Sequence, residues 1–279
     1  MGDDFDCVVV GGGAAGLSAA LVLGRARRRT LVLDRDGQSN RAAEHVGGLL
    51  GLDGRPPAEL YALAREQLAA YDSVVIRFDD AVDARVEGDG FVVALGDDRA
   101  EVQTRALIVA TGMDYEVPDV PGFREHWGGA VFHCPFCHGW EVRDKTVVVH
   151  GEGEVAERQA EMLAAWTDDI TVVDPATVSH LRAGDGPLKA VVLHDGSEVR
   201  CDAVLIHAPL HRRGELPERL GLELTDQGLV AVDAQTRTSL PGVYAAGDIA
   251  VAPQQVAIAI GNGHLAGIVA TRELLLGRG

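Results

Sequence analysis

Phe5-Asp6-Cys7-Val8-Val9-Val10-Gly11-Gly12-Gly13-Ala14-Ala15-Gly16 is the stretch that decides the fold. Its apolar run is short and β-branched, which predicts a buried strand. A glycine turn follows, then Leu17–Gly24, rich in Ala and Leu, as a helix. Thr30–Leu33 reads as a second strand and ends in Asp34. Strand, glycine turn, helix, strand and acid make up the βαβ unit of a parallel sheet. In such a unit Gly11 permits the tight turn. Gly13, followed by Ala14 and Ala15, lets backbone N–H groups reach a pyrophosphate at the positive helix end. Gly16 lets helix and strand pack closely, and Asp34, 18 residues further on, would accept hydrogen bonds from a ribose.

The pattern returns once. Thr146-Val147-Val148-Val149-His150 precedes Gly151-Glu152-Gly153-Glu154-Val155-Ala156. A helix is expected over Ala156–Trp166, then a strand Ile170–Val173 ending in Asp174. Between the two openings the sequence predicts a helix from Ala58 to about Tyr71 and strands near 74–78, 81–87, 90–95 and 101–103. Arg105–Ala110 reads as a further buried strand, ending at Thr111-Gly112, and Val117–Gly122 as a linker. The C-terminal part holds Gly242–Asp248 and an Ala-, Ile- and Gly-rich helix to Leu276. The fold class expected is α/β: two Rossmann-like, three-layer ββα nucleotide-binding domains. The first is discontinuous, residues 1–122 and 237–279, and the second is the insert 123–236.

Composition narrows the function. The 279 residues carry 25 Lys+Arg against 42 Asp+Glu, a formal net charge of -17, which argues against a nucleic-acid partner. No apolar run approaches the ~18 residues of a membrane span. The acidic start Met1-Gly2-Asp3-Asp4 does not resemble a secretory signal, so a cytoplasmic location is expected. Glycine is in excess, 34 residues, about 12% against roughly 7% in average usage. The surplus belongs at turns and close backbone approaches.

Cys134-Pro135-Phe136-Cys137 is a CxxC pair. Zinc would need two further ligands, and Cys7 and Cys201 are isolated from it, so no metal is expected. Two thiols at this spacing can close a short-loop disulfide, one attacking a substrate sulfur while the other resolves the bond. His138, directly after the pair, could act as base or acid. Cys7 and Cys201 read as inert core residues.

Four features together resemble the thioredoxin reductase family of flavin disulfide oxidoreductases. They are Gly11–Gly16, Ala110-Thr111-Gly112, Cys134–Cys137 and Thr238–Asp248. The resemblance implies FAD as cofactor and a homodimer. It implies Asp248, with Gly247, on the ribityl chain, Gln255 and Val256 at the isoalloxazine, and Gly112 and Asn40 beside the cofactor. It also implies that Cys134 meets substrate while Cys137 serves the flavin. Three departures stand out. His138 replaces the usual Asp after the second Cys. No cationic motif follows Asp174, and His211-Arg212-Arg213 lies too far downstream to replace it. Glu152 and Glu154 sit in the second glycine turn, where they oppose a phosphate.

Only 15 residues separate Asp174 from the next strand at Ala190. A helix plus a strand needs about 16 at mean lengths. The insert should therefore lack a βα unit and hold NAD(P)H poorly. The stretch Cys134–Glu141, with Asp36–Arg41, is closer to dithiol oxidases of the gliotoxin and holomycin type. That branch implies a small-molecule dithiol or disulfide substrate with oxygen as acceptor. An NAD(P)H-dependent disulfide reductase and a non-catalytic FAD-binding redox sensor stay open as alternatives.

Overall fold

A computed structural model describes residues 4–96, 100–183 and 186–277. Met1–Asp3 of the acidic start lie outside them. In chain order the elements are β1 (Asp4–Val10), α1 (Ala14–Arg25), β2 (Thr30–Leu33), α2 (Pro57–Leu68), β3 (Val74–Arg77), β4 (Ala81–Glu87), β5 (Gly90–Leu95), β6 (Ala100–Val109) and β7 (Met113–Tyr115). Then come β8 (Val131–Phe132), α3 (Pro135–His138), β9 (Val147–His150), α4 (Gly153–Leu163), β10 (Ile170–Val173), β11 (Val178–Ala183), β12 (Leu188–Leu193), β13 (Glu198–Arg200) and β14 (Ala203–Ile206). The chain ends with β15 (Leu210–Arg212), α5 (Leu216–Arg219), β16 (Val243–Ala245) and α6 (Val256–Leu276).

These elements form two units. The first comprises Met1–Ser39, Ala58–Asp114 and Arg212–Gly279; the second comprises Asn40–Pro57 and Tyr115–His211. The boundaries differ from those expected, 122/123 and 236/237. Val117–Gly122 is not a linker, because Val117 is buried with Phe123 in the core of the second unit. Residues 212–236 return to the first unit, where the backbone N–H of Val230 bonds Ile249 O at 2.8 Å. Residues 40–57 leave it: a Cβ on Gly47 would lie 2.5 Å from Cys137 O. The Val230–Ile249 and Gly47–Cys137 contacts are not local in sequence, which is why composition along the chain did not mark them.

In the first unit the sheet runs β3-β2-β1-β6-β5-β4, with β16 also on β6. β1, β2, β3 and β16 are parallel to their neighbours, while β4 and β5 are antiparallel. Parallel strands covered on both faces carry unbroken apolar runs, and Val8, Val9 and Leu31 are fully buried. The strands expected at 101–103 and 105–110 are one strand, β6. Its first half pairs with β5 through Thr104, and its second half pairs with β16 from Leu107. The small residues of α6 have a packing reason. A Cβ on Gly263 would lie 2.0 Å from Ala15 O, and one on Gly267 2.8 Å from Ala19 O. The two helix backbones touch along that stripe, and Ser18 Oγ donates to Ile260 O at 2.9 Å.

The second unit is a three-layer ββα stack. Its parallel sheet runs β10-β9-β14-β8. Side chains alternate across a strand, so Val147, Val149, Ala203 and Leu205 face the layer of α4, with Ala156 and Leu163. Val148, Val204 and Ile206 face the antiparallel sheet β11-β12-β13, with Val178, Leu181, Leu188 and Val191. The helix expected at 156–166 lies at Gly153–Leu163. It begins earlier because Glu154 suits the positive end of a first turn. It stops earlier because Trp166 turns into the core. From β10 the chain reaches β11 through a single 3-10 turn, Pro175–Thr177. No helix intervenes among the described residues, and β10 forms an edge with Val172 exposed.

Candidate active site

The glycine turn of the first unit is shaped by contacts that leave no room for side chains. A Cβ on Gly11 would lie 2.2 Å from Ala110 O, and one on Gly16 1.8 Å from Gly11 O. One on Gly12 would lie 2.0 Å from Asp34 Cγ. Gly12 was not among the expected binding residues, yet it is the glycine that lets the acid pack beneath the turn. Gly13 differs, with only Gln38 Cγ within 4.0 Å. It caps α1 without a side-chain hydrogen bond. The first N–H groups of a helix have no intrahelical acceptor, so the N–H groups of Gly13, Ala14 and Ala15 present donors for a diphosphate.

Asp34 is buried, 1% exposed, and is already engaged. Its Oδ1 accepts from Asp36 N at 2.8 Å and Gln38 Nε2 at 3.1 Å, and its Oδ2 accepts from Arg65 at 2.6 Å. The expected ribose acceptor is thus the centre of an ion-paired network. Burial works against the Arg65 cation, but the hydrogen bond and charge of Asp34, with those of Asp36, hold its pKa above the usual value. Arg65 was invisible to sequence reading because only the fold brings α2 to the end of β2, and Gln38 was read only as part of the segment Asp36–Arg41.

Gly247 and Asp248 come to the same turn. Gly247 has φ +77°, and a Cβ there would lie 2.8 Å from Ala15 Cβ. Burial raises the Asp248 carboxyl to about 6, against the opposing charge of Arg213. A hydroxyl-bearing ligand could donate a hydrogen bond to this carboxylate. Thr111 Oγ1 and Gln38 Oε1 are buried without a hydrogen-bond partner among the described residues. Gly112, at φ +71°, has no neighbour where a Cβ would stand. Gln255 caps α6 and Val256 is its first residue. An open N–H cradle, orphaned polar atoms and a buried acid fit a flavin dinucleotide. Asn40 alone of the expected cofactor residues falls in the other unit. Arg213 donates to Asp114 at 2.6 Å and to the carbonyl of Gly37, and Arg212 binds Glu218 and the carbonyl of Gly228. Those cations are occupied within the fold.

In the second unit Cys134 caps the single turn α3, and the backbone N–H groups of Cys137 and His138 bond its carbonyl at 3.1 and 3.2 Å. This turn brings the two Sγ atoms to 2.7 Å. Residues i and i+4 share a helix face, so Cys134 and His138 do as well. His138 Nε2 lies 3.2 Å from Gly128 O. A carbonyl can only accept, so Nε2 carries the proton and the neutral ring keeps its lone pair on Nδ1. That Nδ1 is buried without a hydrogen-bond partner among the described residues. Burial lowers the His138 pKa despite the Gly128 bond and the Glu141 charge, and the His45 charge lowers it further. His133, against Tyr115 and Trp127, is driven to about 4 by burial and by the His138 charge. Cys7 and Cys201 are buried, and burial raises both thiols, Cys201 to about 11, which makes them inert. Among the described residues no group of three or more His, Cys, Asp or Glu side chains could hold a metal ion. No helix among them is long and apolar enough to cross a membrane.

A dinucleotide cradle, together with a thiol pair followed by a neutral histidine, defines the class: an FAD-dependent thiol–disulfide oxidoreductase. The chain matches the family model "Pyridine nucleotide-disulphide oxidoreductase" over residues 5–183 and 167–263, and it belongs to that family. It is similar to the thioredoxin reductase tcpT of Claviceps purpurea, 31% identical over 97% of this chain and 94% of that one. It is also similar to the thioredoxin reductase sirT of Leptosphaeria maculans, 31% identical over 94% and 92%. Among solved structures, HlmI superimposes with a TM-score of 0.93 at 33% identity, over 98% of this chain and 93% of that one. An oxidoreductase from Agrobacterium tumefaciens gives 0.89 at 32%, over 99% and 100%. The enzyme is a thioredoxin reductase-like oxidoreductase, and FAD is its cofactor.

Proposed function

We propose that this enzyme oxidises a small-molecule dithiol to a disulfide and passes the electrons to oxygen. One observation carries the reading: the glycine turn of the second unit bears carboxylates where a nicotinamide phosphate would need cations. Glu152 caps α4 and Glu154 lies in its first turn. Asp174 follows β10, exposed, and its Oδ1 accepts from Ala176 N of its own turn at 2.8 Å. Each of these charges repels an incoming phosphate.

In this reading the resting pair is the Cys134–Cys137 disulfide. A substrate thiolate attacks Cys134 Sγ; the Cys134–Cys137 bond breaks and Cys137 leaves as thiolate. The second substrate thiolate then attacks the substrate sulfur of the mixed disulfide and expels Cys134. His138 Nδ1 takes the proton of the attacking thiol and returns it to a leaving one. FAD would be held by Gly11, Gly13, Ala14, Ala15, Gly16, Asp34, Asn40, Gly112, Gly247, Asp248, Gln255 and Val256, and bound there it would supply a two-electron acceptor for the thiol pair, with oxygen as the final acceptor. The sum is dithiol plus oxygen to disulfide plus hydrogen peroxide. The functional form in this reading is a cytoplasmic homodimer.

Anaerobic stopped-flow spectroscopy tests it. Dithiothreitol should bleach the flavin rapidly, and NADH or NADPH should not. Cys137→Ser should abolish the thiol-driven bleaching. Flavin that stays oxidised with thiol alone defeats the proposal. A second reading, reduction of a disulfide by NADH, has one observation in its favour. Gly153 keeps its left-handed φ of +61°, and the nearest atom to a Cβ on Gly151 would be Ala156 Cβ at 3.0 Å, so part of a dinucleotide turn survives. Rapid bleaching by NADH would favour it.

A further inference from the structure

The segment 40–57, which sequence reading left with the flavin domain, is clamped onto the cysteine turn at two backbone points. A Cβ on Gly47 would lie 2.5 Å from Cys137 O, and one on Gly128 would lie 2.4 Å from the carbonyl carbon of Ala42. Gly128 is also the residue whose carbonyl holds His138 Nε2. Between these points His45 reaches Glu141, Nε2 to Oε1 at 3.2 Å, both side chains about three-tenths exposed. Glu141 is itself tied to the turn, its N–H bonding His138 O at 3.1 Å. We propose that the His45–Glu141 pair, fixed on the turn that carries His138, is a charge-balancing device for that ring.

The titratable groups around His138 are few. Glu141 stands on the same turn, His45 on the clamped segment, and His133 and the two thiols on the chain just before it. Burial by itself lowers the basicity of His138. The Glu141 charge works against that burial, and His45 adds to the lowering. His133, held neutral by burial, adds no cation at neutral pH. Removing either half of a merely structural ion pair would loosen the turn in the same way. Removing either half of a charge balance has opposite consequences. Glu141→Gln should lower the His138 titration midpoint, and His45→Gln should raise it, each on the order of one pH unit or less. The inference rests on the reading of His138 as the base only for its effect on turnover, not for the titration itself.

The experiment is a pH titration of isotope-labelled histidine by NMR in the FAD-loaded enzyme, with the His138 signal assigned through His138→Asn. Alongside it, the pH dependence of anaerobic flavin reduction by dithiothreitol is recorded. Opposite shifts of the His138 midpoint in the two variants support the pairing. Shifts of the same sign, or none, overturn it. If Glu141→Gln fails to fold, His45→Gln still decides: a lowered or unmoved His138 midpoint in that variant overturns the proposal. Opposite shifts with an unmoved flavin-reduction profile support the charge balance and instead refute the assignment of His138 as the base.

Discussion

In the first unit α1 lies so close to β1 that a Cβ on Gly16 would stand 1.8 Å from the Gly11 carbonyl oxygen. In the second, the matching position is Ala156, and a Cβ on Gly151 would still be 3.0 Å from the Ala156 Cβ. The acids that close the two βαβ units differ as sharply. Asp34 is buried and paired with Arg65 at 2.6 Å, whereas Asp174 is exposed and bonds its own turn. β2 is covered on all four residues, while β10 is an edge with two of its four exposed. One topology therefore supports a tight, ion-paired cradle and a looser, acidic one. The βαβ frame alone confers no affinity for a dinucleotide. Close backbone approach and local charge do.

The comparison breaks most visibly at Gly16. Gly16→Val drives a side chain into the Gly11 carbonyl and should yield protein without flavin absorbance, while Ala156→Gly leaves flavin content unchanged. Flavin-loaded Gly16→Val would dissolve the distinction. Next is Arg65→Met, which leaves the buried Asp34 carboxylate without its cation. It should cost about 3 kcal/mol in urea unfolding at pH 7. The exposed counterpart, Asp174→Asn, keeps its capping oxygen and should stay within about 0.5 kcal/mol.

A smaller effect is expected at Asp248. Its folded value of about 6 lies above the unfolded 3.8. The native state therefore holds the proton longer, and this contribution to stability is lost as pH rises from about 4 to 6. In flavin-free protein, Asp248→Asn should be the more stable at pH 7 by on the order of 2 kcal/mol and level with the parent near pH 4. Thermal melts at the two values decide it, and equal melting at pH 7 contradicts a buried acid. The smallest change comes from charge in the second cradle. Glu152→Gln with Asp174→Arg should speed flavin reduction by NADPH up to about tenfold, or 1.4 kcal/mol. An unchanged rate would mean that the shortened sheet, not the carboxylates, excludes the nucleotide.

Much of this architecture was legible beforehand because it is written in local pattern. The glycine spacing of 11–16, the apolar runs of β1, β2, β9 and β10, and the CxxC each announce themselves within a dozen residues. The short interval after Asp174 foretold a missing helix, and β10 does turn into β11 through one 3-10 turn. What local pattern could not convey were pairs far apart in the chain. Arg65 meets Asp34 across 31 residues, and His45 meets Glu141 across 96 residues. The merging of two expected strands into β6 had the same origin, since its halves are defined by different partners.

The sequence by itself determined the α/β class, the flavin cradle, the thiol pair and the poverty of cations in the second glycine turn. Each depends on which residue types stand next to one another, and hydrophobic period, glycine freedom and net charge are all read at that range. Only the tertiary structure decided where the units divide, that Asp34 carries an arginine, and that residues 40–57 close over the cysteine turn. Those depend on burial and on charges meeting across long stretches of chain. Burial and Coulomb energy act through space rather than along the backbone.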